Sequence, residues 1–111
     1  KWLGARHRCY VAAAEFLVKN GQRDREAFAS VEVGTLAYLS DFEADDLGGL
    51  ATPIDQPPRL PIRWAIYDDG YKRMAPPFVC AARIERGDFA VQIYDLARPL
   101  PAPPATCVLK R

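Results

Sequence analysis

Phe78–Leu96 reads FVCAARIERGDFAVQIYDL. Two runs of alternating apolar residues flank Arg86-Gly87. Phe78, Cys80, Ala82 and Ile84 share one side of the first run. Phe89, Val91, Ile93 and then Asp95 share one side of the second. Side chains alternate across a strand, so each run presents one apolar face. The glycine between them marks a turn, and the stretch reads as an antiparallel hairpin.

Upstream of it, Leu60–Tyr67 is also strand-like, with Ile62, Trp64 and Ile66 on one face. Asp68-Asp69-Gly70 signals a turn, and Tyr71–Met74 reads as a short strand ended by Pro76-Pro77. These segments together form a β-meander. Thr106–Leu109 reads as a last, edge strand after the polyproline-like stretch Pro99–Pro104. Residues 50–61 hold Pro53, Pro57, Pro58 and Pro61 and read as a loop, since proline removes a ladder donor.

The first half reads differently. In residues 7–19, HRCYVAAAEFLVK, the residues Cys9, Tyr10, Ala13, Phe16 and Leu17 recur on one helical face. The alanine run favours a helix, and Asn20-Gly21 supplies a left-handed stop. Over residues 28–39, Val31, Val33, Thr35, Ala37 and Leu39 alternate, while Phe28, Val31, Thr35, Leu39 and Phe42 fit a helix face. Gly34 and the β-branched residues tip this stretch towards strand. Ser40-Asp41-Phe42-Glu43 has the form of a capping box, which predicts a short helix at 41–47 stopped by Gly48-Gly49.

A lone amphipathic helix must bury its face against something. The expected fold is therefore α+β: an N-terminal helix packed on an antiparallel sheet of four to five strands. The layout is roll-like, with a small barrel as the alternative. The chain of 111 residues fits a single domain spanning 1–111, and its 50% apolar content suits a globular core.

No apolar run approaches the roughly 18 residues that suggest a membrane span. The net charge of +1 argues against a strong field for nucleic acid, despite the early cluster Lys1, Arg6, Arg8, Lys19, Arg23 and Arg25. Charge is unevenly spread. Residues 26–55 hold seven acidic groups and no basic one, between flanks of +4 each. Cys9, Cys80 and Cys107 show no zinc spacing and read as reduced thiols, which points to the cytoplasm, with one disulfide plus a free thiol as the alternative; the start at Lys1 rather than Met leaves a processed, secreted form open. With His7 the sole histidine, no metal or cofactor is implied.

Three readings of function follow. The first is a non-catalytic binding or protein-interaction module. Its contacts would be Trp64, Tyr67 and Tyr71 beside Asp68 and Asp69, with Asp41, Glu43, Asp45 and Asp46 as an acidic surface for a basic partner. The acidic run also suggests a calcium loop, but Asp46 stands where that loop needs glycine and Thr52 where it needs glutamate. The second is a small-molecule binder or acid–base enzyme with a pocket between helix and sheet. Asp68, Asp69 or Asp95 would be its titrating group. The third is a homodimer paired through the edge strand Thr106–Leu109. Arg98-Pro-Leu-Pro-Ala-Pro-Pro104 additionally has the form of an SH3 ligand, provided it is free of the domain.

Overall fold

The computed structural model describes residues 4–46, 58–69 and 77–100. Helix α1 spans Ala5–Asn20, strand β1 Ala27–Ser30, helix α2 Gly34–Ser40 and strand β2 Glu43–Asp46. Strands β3, Ile62–Asp68, β4, Phe78–Arg86, and β5, Phe89–Pro99, complete the fold. They form one mixed, five-stranded sheet in the order β2-β1-β3-β5-β4. The fold is α+β, as the sequence predicts. Among the described residues the sheet is open, with β2 and β4 at its edges, and it does not close into the barrel alternative.

The antiparallel expectation holds for β3, β5 and β4, and fails for the rest. β1 runs parallel to both β2 and β3. Nor is the second half a meander, because β3 lies beside β5 rather than β4. Tyr71–Met74, Pro101–Pro104 and Thr106–Leu109 fall outside the described residues.

Helix α1 buries Cys9, Tyr10, Ala13, Ala14 and Leu17, largely the face read from the sequence. Gly21 ends it with an extended backbone, φ −102°, and its N–H donates to the Leu17 carbonyl at 2.8 Å. The predicted left-handed stop is therefore absent. Glycine is needed here for close approach: a Cβ would lie 2.7 Å from Cζ of Phe42.

The stretch 28–39 is not one strand. β1 is only four residues long and buried along its whole length, as expected of a central parallel strand. The chain then turns into α2. Leu36 and Ser40 point inward, Val33 and Ala37 pack on the core, and Tyr38 and Leu39 face outward. That spacing is helical, and the alternation of Val31, Val33 and Thr35 is coincidental.

Ser40 explains why 41–47 is not a helix. Its hydroxyl donates to the Leu36 carbonyl at 2.6 Å and accepts from the Phe42 N–H at 3.2 Å. It closes α2 instead of opening a new helix. Asp41 adopts the left-handed conformation, φ 61°, at the end of α2. Glu43–Asp46 then pairs with β1 despite its poor intrinsic strand preference. Its acidic side chains suit an edge, where like charges discourage pairing with another sheet.

Both helices pack on one face of the sheet. Tyr10, Leu17 and Leu36 meet Phe28, Trp64, Ile66, Val91 and Ile93 there. The β4–β5 hairpin turns on Gly87, φ 59°, followed by Asp88 at negative φ, a type II′ turn. A bulge then alters the predicted face. Cys80 pairs with Tyr94 but Ala82 with Ile93, so Ala81 is an extra residue. Ala82 and Ile84 face the helices, while Phe78 and Cys80 join Ala65, Tyr67, Tyr94 and Leu96 on the opposite face.

Candidate functional site

β1 and β3 start at the same end of the sheet, where β5 finishes. The Ala27 N–H donates to the Pro61 carbonyl at 2.9 Å and sets the two starts side by side. Before β1, the N–H groups of Arg25 and Glu26 both donate to the Gln22 carbonyl at 2.9 Å. This turn aims Glu26 back at β3.

Arg63 is the hub. Its Nε and Nη2 donate to the two carboxylate oxygens of Asp95 at 2.5 and 2.9 Å, and its Nη1 donates to Glu26 at 2.8 Å. Glu26 also accepts from Trp64 Nε1 at 3.1 Å and from the Gln22 N–H at 2.9 Å. Asp95 also accepts from the Ala97 N–H at 2.9 Å. The guanidinium sits 4.5 Å from the Trp64 ring centroid. Side-chain exposure is 30% for Arg63, 12% for Glu26 and 4% for Asp95. Hydrogen bonding from Arg63 holds the Asp95 carboxyl below its ordinary range, so Asp95 stays ionised. A carboxylate held that way is poorly suited to act as a general acid or base near neutral pH.

Beside this cluster opens a groove of about 420 Å³. Pro61, Ile62, Leu96 and Ala97 supply its apolar wall, and Gln22, Arg25, Glu26 and Arg63 its polar rim. Its volume falls within the usual range for small-ligand sites. Three N–H groups of Arg63 are engaged, leaving one on each terminal nitrogen. The Arg25 side chain has no hydrogen-bond or ion-pair partner among the described residues.

The residues singled out from the sequence are dispersed. Trp64 is a core residue, 3% exposed and edge-on to Phe16 at 5.3 Å. Tyr67 lies on the opposite face, against Tyr94 with ring centroids 5.9 Å apart. Asp68 faces the helices and accepts from the Tyr10 hydroxyl at 2.8 Å. Burial first, and Asp68 second, push the Tyr10 phenol well above its ordinary range. Asp69 belongs to the other face, accepting from Arg83 at 3.1 and 3.2 Å and from Gln92. The two aspartates share no cleft. Tyr71 lies outside the described residues.

The acidic run is split as well. Asp41 is exposed, Glu43 and Asp45 are half-buried, and Asp46 is buried. Glu43 accepts the Arg59 N–H at 2.6 Å, with the Arg59 guanidinium 3.5 Å away. Cys9 is a buried thiol whose Sγ lies 3.4 Å from the Phe89 carbonyl; burial pushes its pKa up, away from nucleophilic use. Cys9 and Cys80 are unpaired, and Cys107 lies outside the described residues. The front of the proline motif is tied to the sheet: Pro99 pairs with Phe78, and the Leu100 N–H donates to Pro77. Among the described residues, no helix is long and apolar enough to cross a membrane.

No family model, no curated protein and no solved structure matches this chain. The functional reading therefore rests on geometry. In the sequence Arg25 stands out only as part of the early basic cluster and Asp95 only as a titrating group, while Glu26 and Arg63 belong to no motif. One signal was available: Arg63 is the only charge within the run Leu60–Tyr67 and has to find a partner.

Proposed function

We propose that the chain is a non-catalytic binding module that takes its partner in the groove between the β1 turn and the β3 and β5 ends. The observation that carries this is the fixed Arg63 guanidinium. Asp95, Glu26 and the Trp64 ring hold it in one orientation, with its remaining donors at the rim of an apolar-walled groove. A donor already immobilised loses little further entropy on binding, so affinity comes at low cost. This differs from a pocket beneath the helix, because Cys9, Ala13 and Leu17 are 0% exposed where α1 meets the sheet.

The test is a fragment screen on isotopically labelled protein, read by amide chemical shifts. The set should span anionic, cationic and neutral compounds. Shifts are expected to cluster on Gln22–Glu26, Ile62–Arg63 and Leu96–Ala97. Binding that maps to another surface, or no binding from any class, rejects the reading.

A further inference from the structure

We infer that the groove selects an organic carboxylate carrying a compact apolar body. The inference rests on the groove being the binding site, and it adds the ligand's chemistry. Glu26 accepts from Arg63, Trp64 and Gln22, and Asp95 from Arg63 and Ala97. Most of the acceptor capacity of the cluster is therefore committed inward. What remains charged at the rim is donors: one N–H on each terminal nitrogen of Arg63, and the whole Arg25 guanidinium, beside the neutral Gln22 amide, which can donate or accept. A ligand that supplies acceptors complements them, and a ligand that supplies donors meets unpaired donors.

Charge separates a carboxylate from a neutral acceptor. The carboxylates of Glu26 and Asp95 balance two arginines. Of these groups the groove itself is lined by two cations, Arg25 and Arg63, and one anion, Glu26, because Asp95 stands behind Arg63 outside the lining. The local excess is positive. A planar guanidinium meets a carboxylate with two parallel bonds, and such charge-assisted pairs are roughly twice as strong as neutral ones. The apolar body follows from the opposite wall. Pro61, Ile62, Leu96 and Ala97 offer no side-chain polar group, so a hydrated or multiply charged ligand would lose water there without return.

The same chemistry has two sources: a free acid, or the terminal carboxylate of a peptide ending in an apolar residue. The probes are N-acetyl-leucine, its carboxamide, and a hexapeptide ending in leucine with either a free or an amidated terminus. Groove amides of the full chain are monitored during titration. The free carboxylates are expected to bind about tenfold more tightly than their amides. Arg25→Gln should remove most of that difference while leaving the amides unchanged. Arg25 is exposed and has no partner among the described residues, so this variant should fold. Arg63→Lys, which keeps the charge but loses the fork, is the second variant and should also weaken the acids. A free acid that binds as well as the hexapeptide points to a small molecule, and tighter hexapeptide binding points to a protein terminus; either supports the inference. Equal binding of acid and amide overturns it, as does an acid unaffected by both substitutions. If neutral or cationic fragments still occupy the groove, the binding reading survives that result. If nothing occupies it, both fall.

Discussion

Arg63 grips both carboxylate oxygens of Asp95 from the neighbouring strand, at 2.5 and 2.9 Å, while its third bond reaches Glu26. The pair joins β3 to the end of β5, and Glu26 adds the turn that precedes β1. One guanidinium thus fixes three segments and shapes the groove rim.

Replacing Arg63 with methionine keeps the stem over Trp64 but leaves Asp95 charged and 4% exposed. The expected loss of stability is about 3 kcal/mol, measured by urea unfolding at pH 7. A loss under 1 kcal/mol would mean that the pair is exposed to water in solution.

Asp95 also sets an acid dependence. Its folded pKa is depressed, so its stabilisation is present above the unfolded value near 3.9 and is lost as pH falls through the folded one. Asp95→Asn should be less stable than the parent at pH 6. The gap should narrow as pH drops below about 4. Denaturation midpoints over pH 2–6 give the comparison.

Tyr10 behaves oppositely at high pH. Its folded pKa is raised, so the stability it contributes is full below the unfolded value near 10 and declines as pH rises above it. Tyr10→Phe should cost about 1 kcal/mol at pH 7, because Asp68 loses a donor. The variant should also show a shallower decline in alkali. Ultraviolet titration of the native protein should find the Tyr10 phenol resisting ionisation until unfolding, a component that Tyr10→Phe removes.

The hairpin turn depends on backbone conformation. Gly87→Ala places a Cβ at φ 59° and within 3.2 Å of the Ala5 Cβ. A loss of about 1–2 kcal/mol is expected in thermal melts. The same substitution at Gly4 meets nothing within 4 Å and should be nearly neutral.

Core packing is directional along α1. Leu17→Ala should cost about 3 kcal/mol, since Leu17 is 0% exposed against the sheet. Its neighbour Val18 is 56% exposed, and Val18→Ala should change stability by less than about 0.5 kcal/mol. Equal effects would place the helix in another rotation.

The sequence-legible parts are those whose pattern is local. Helix α1 announces itself through Cys9, Tyr10, Ala13 and Leu17, and the β4–β5 hairpin through its alternation around Gly87. Ser40 shows where local reading stops. A serine hydroxyl bonding a backbone N–H two residues on looks the same whether a helix is ending or beginning. Ala27–Ser30 is legible for a related reason only as a short apolar run, because a strand buried on both faces has no alternation to display. The candidate site was the least legible part. Glu26, Arg63 and Asp95 stand 37 and 32 residues apart in the chain, and no spacing rule joins them.

By itself the sequence determined the α+β class, the leading helix, the clearest hairpin and the uneven charge, since each follows from neighbours within a few turns or strand residues. The tertiary structure alone decided the parallel pairing of β1 with β2 and β3, the strand state of Glu43–Asp46, and the flip of Phe78 and Cys80 at Ala81. It also decided which carboxylates are held by which cations. Those outcomes depend on ladder hydrogen bonds and ion pairs between distant segments, whose energy exists only once the chain has brought them together.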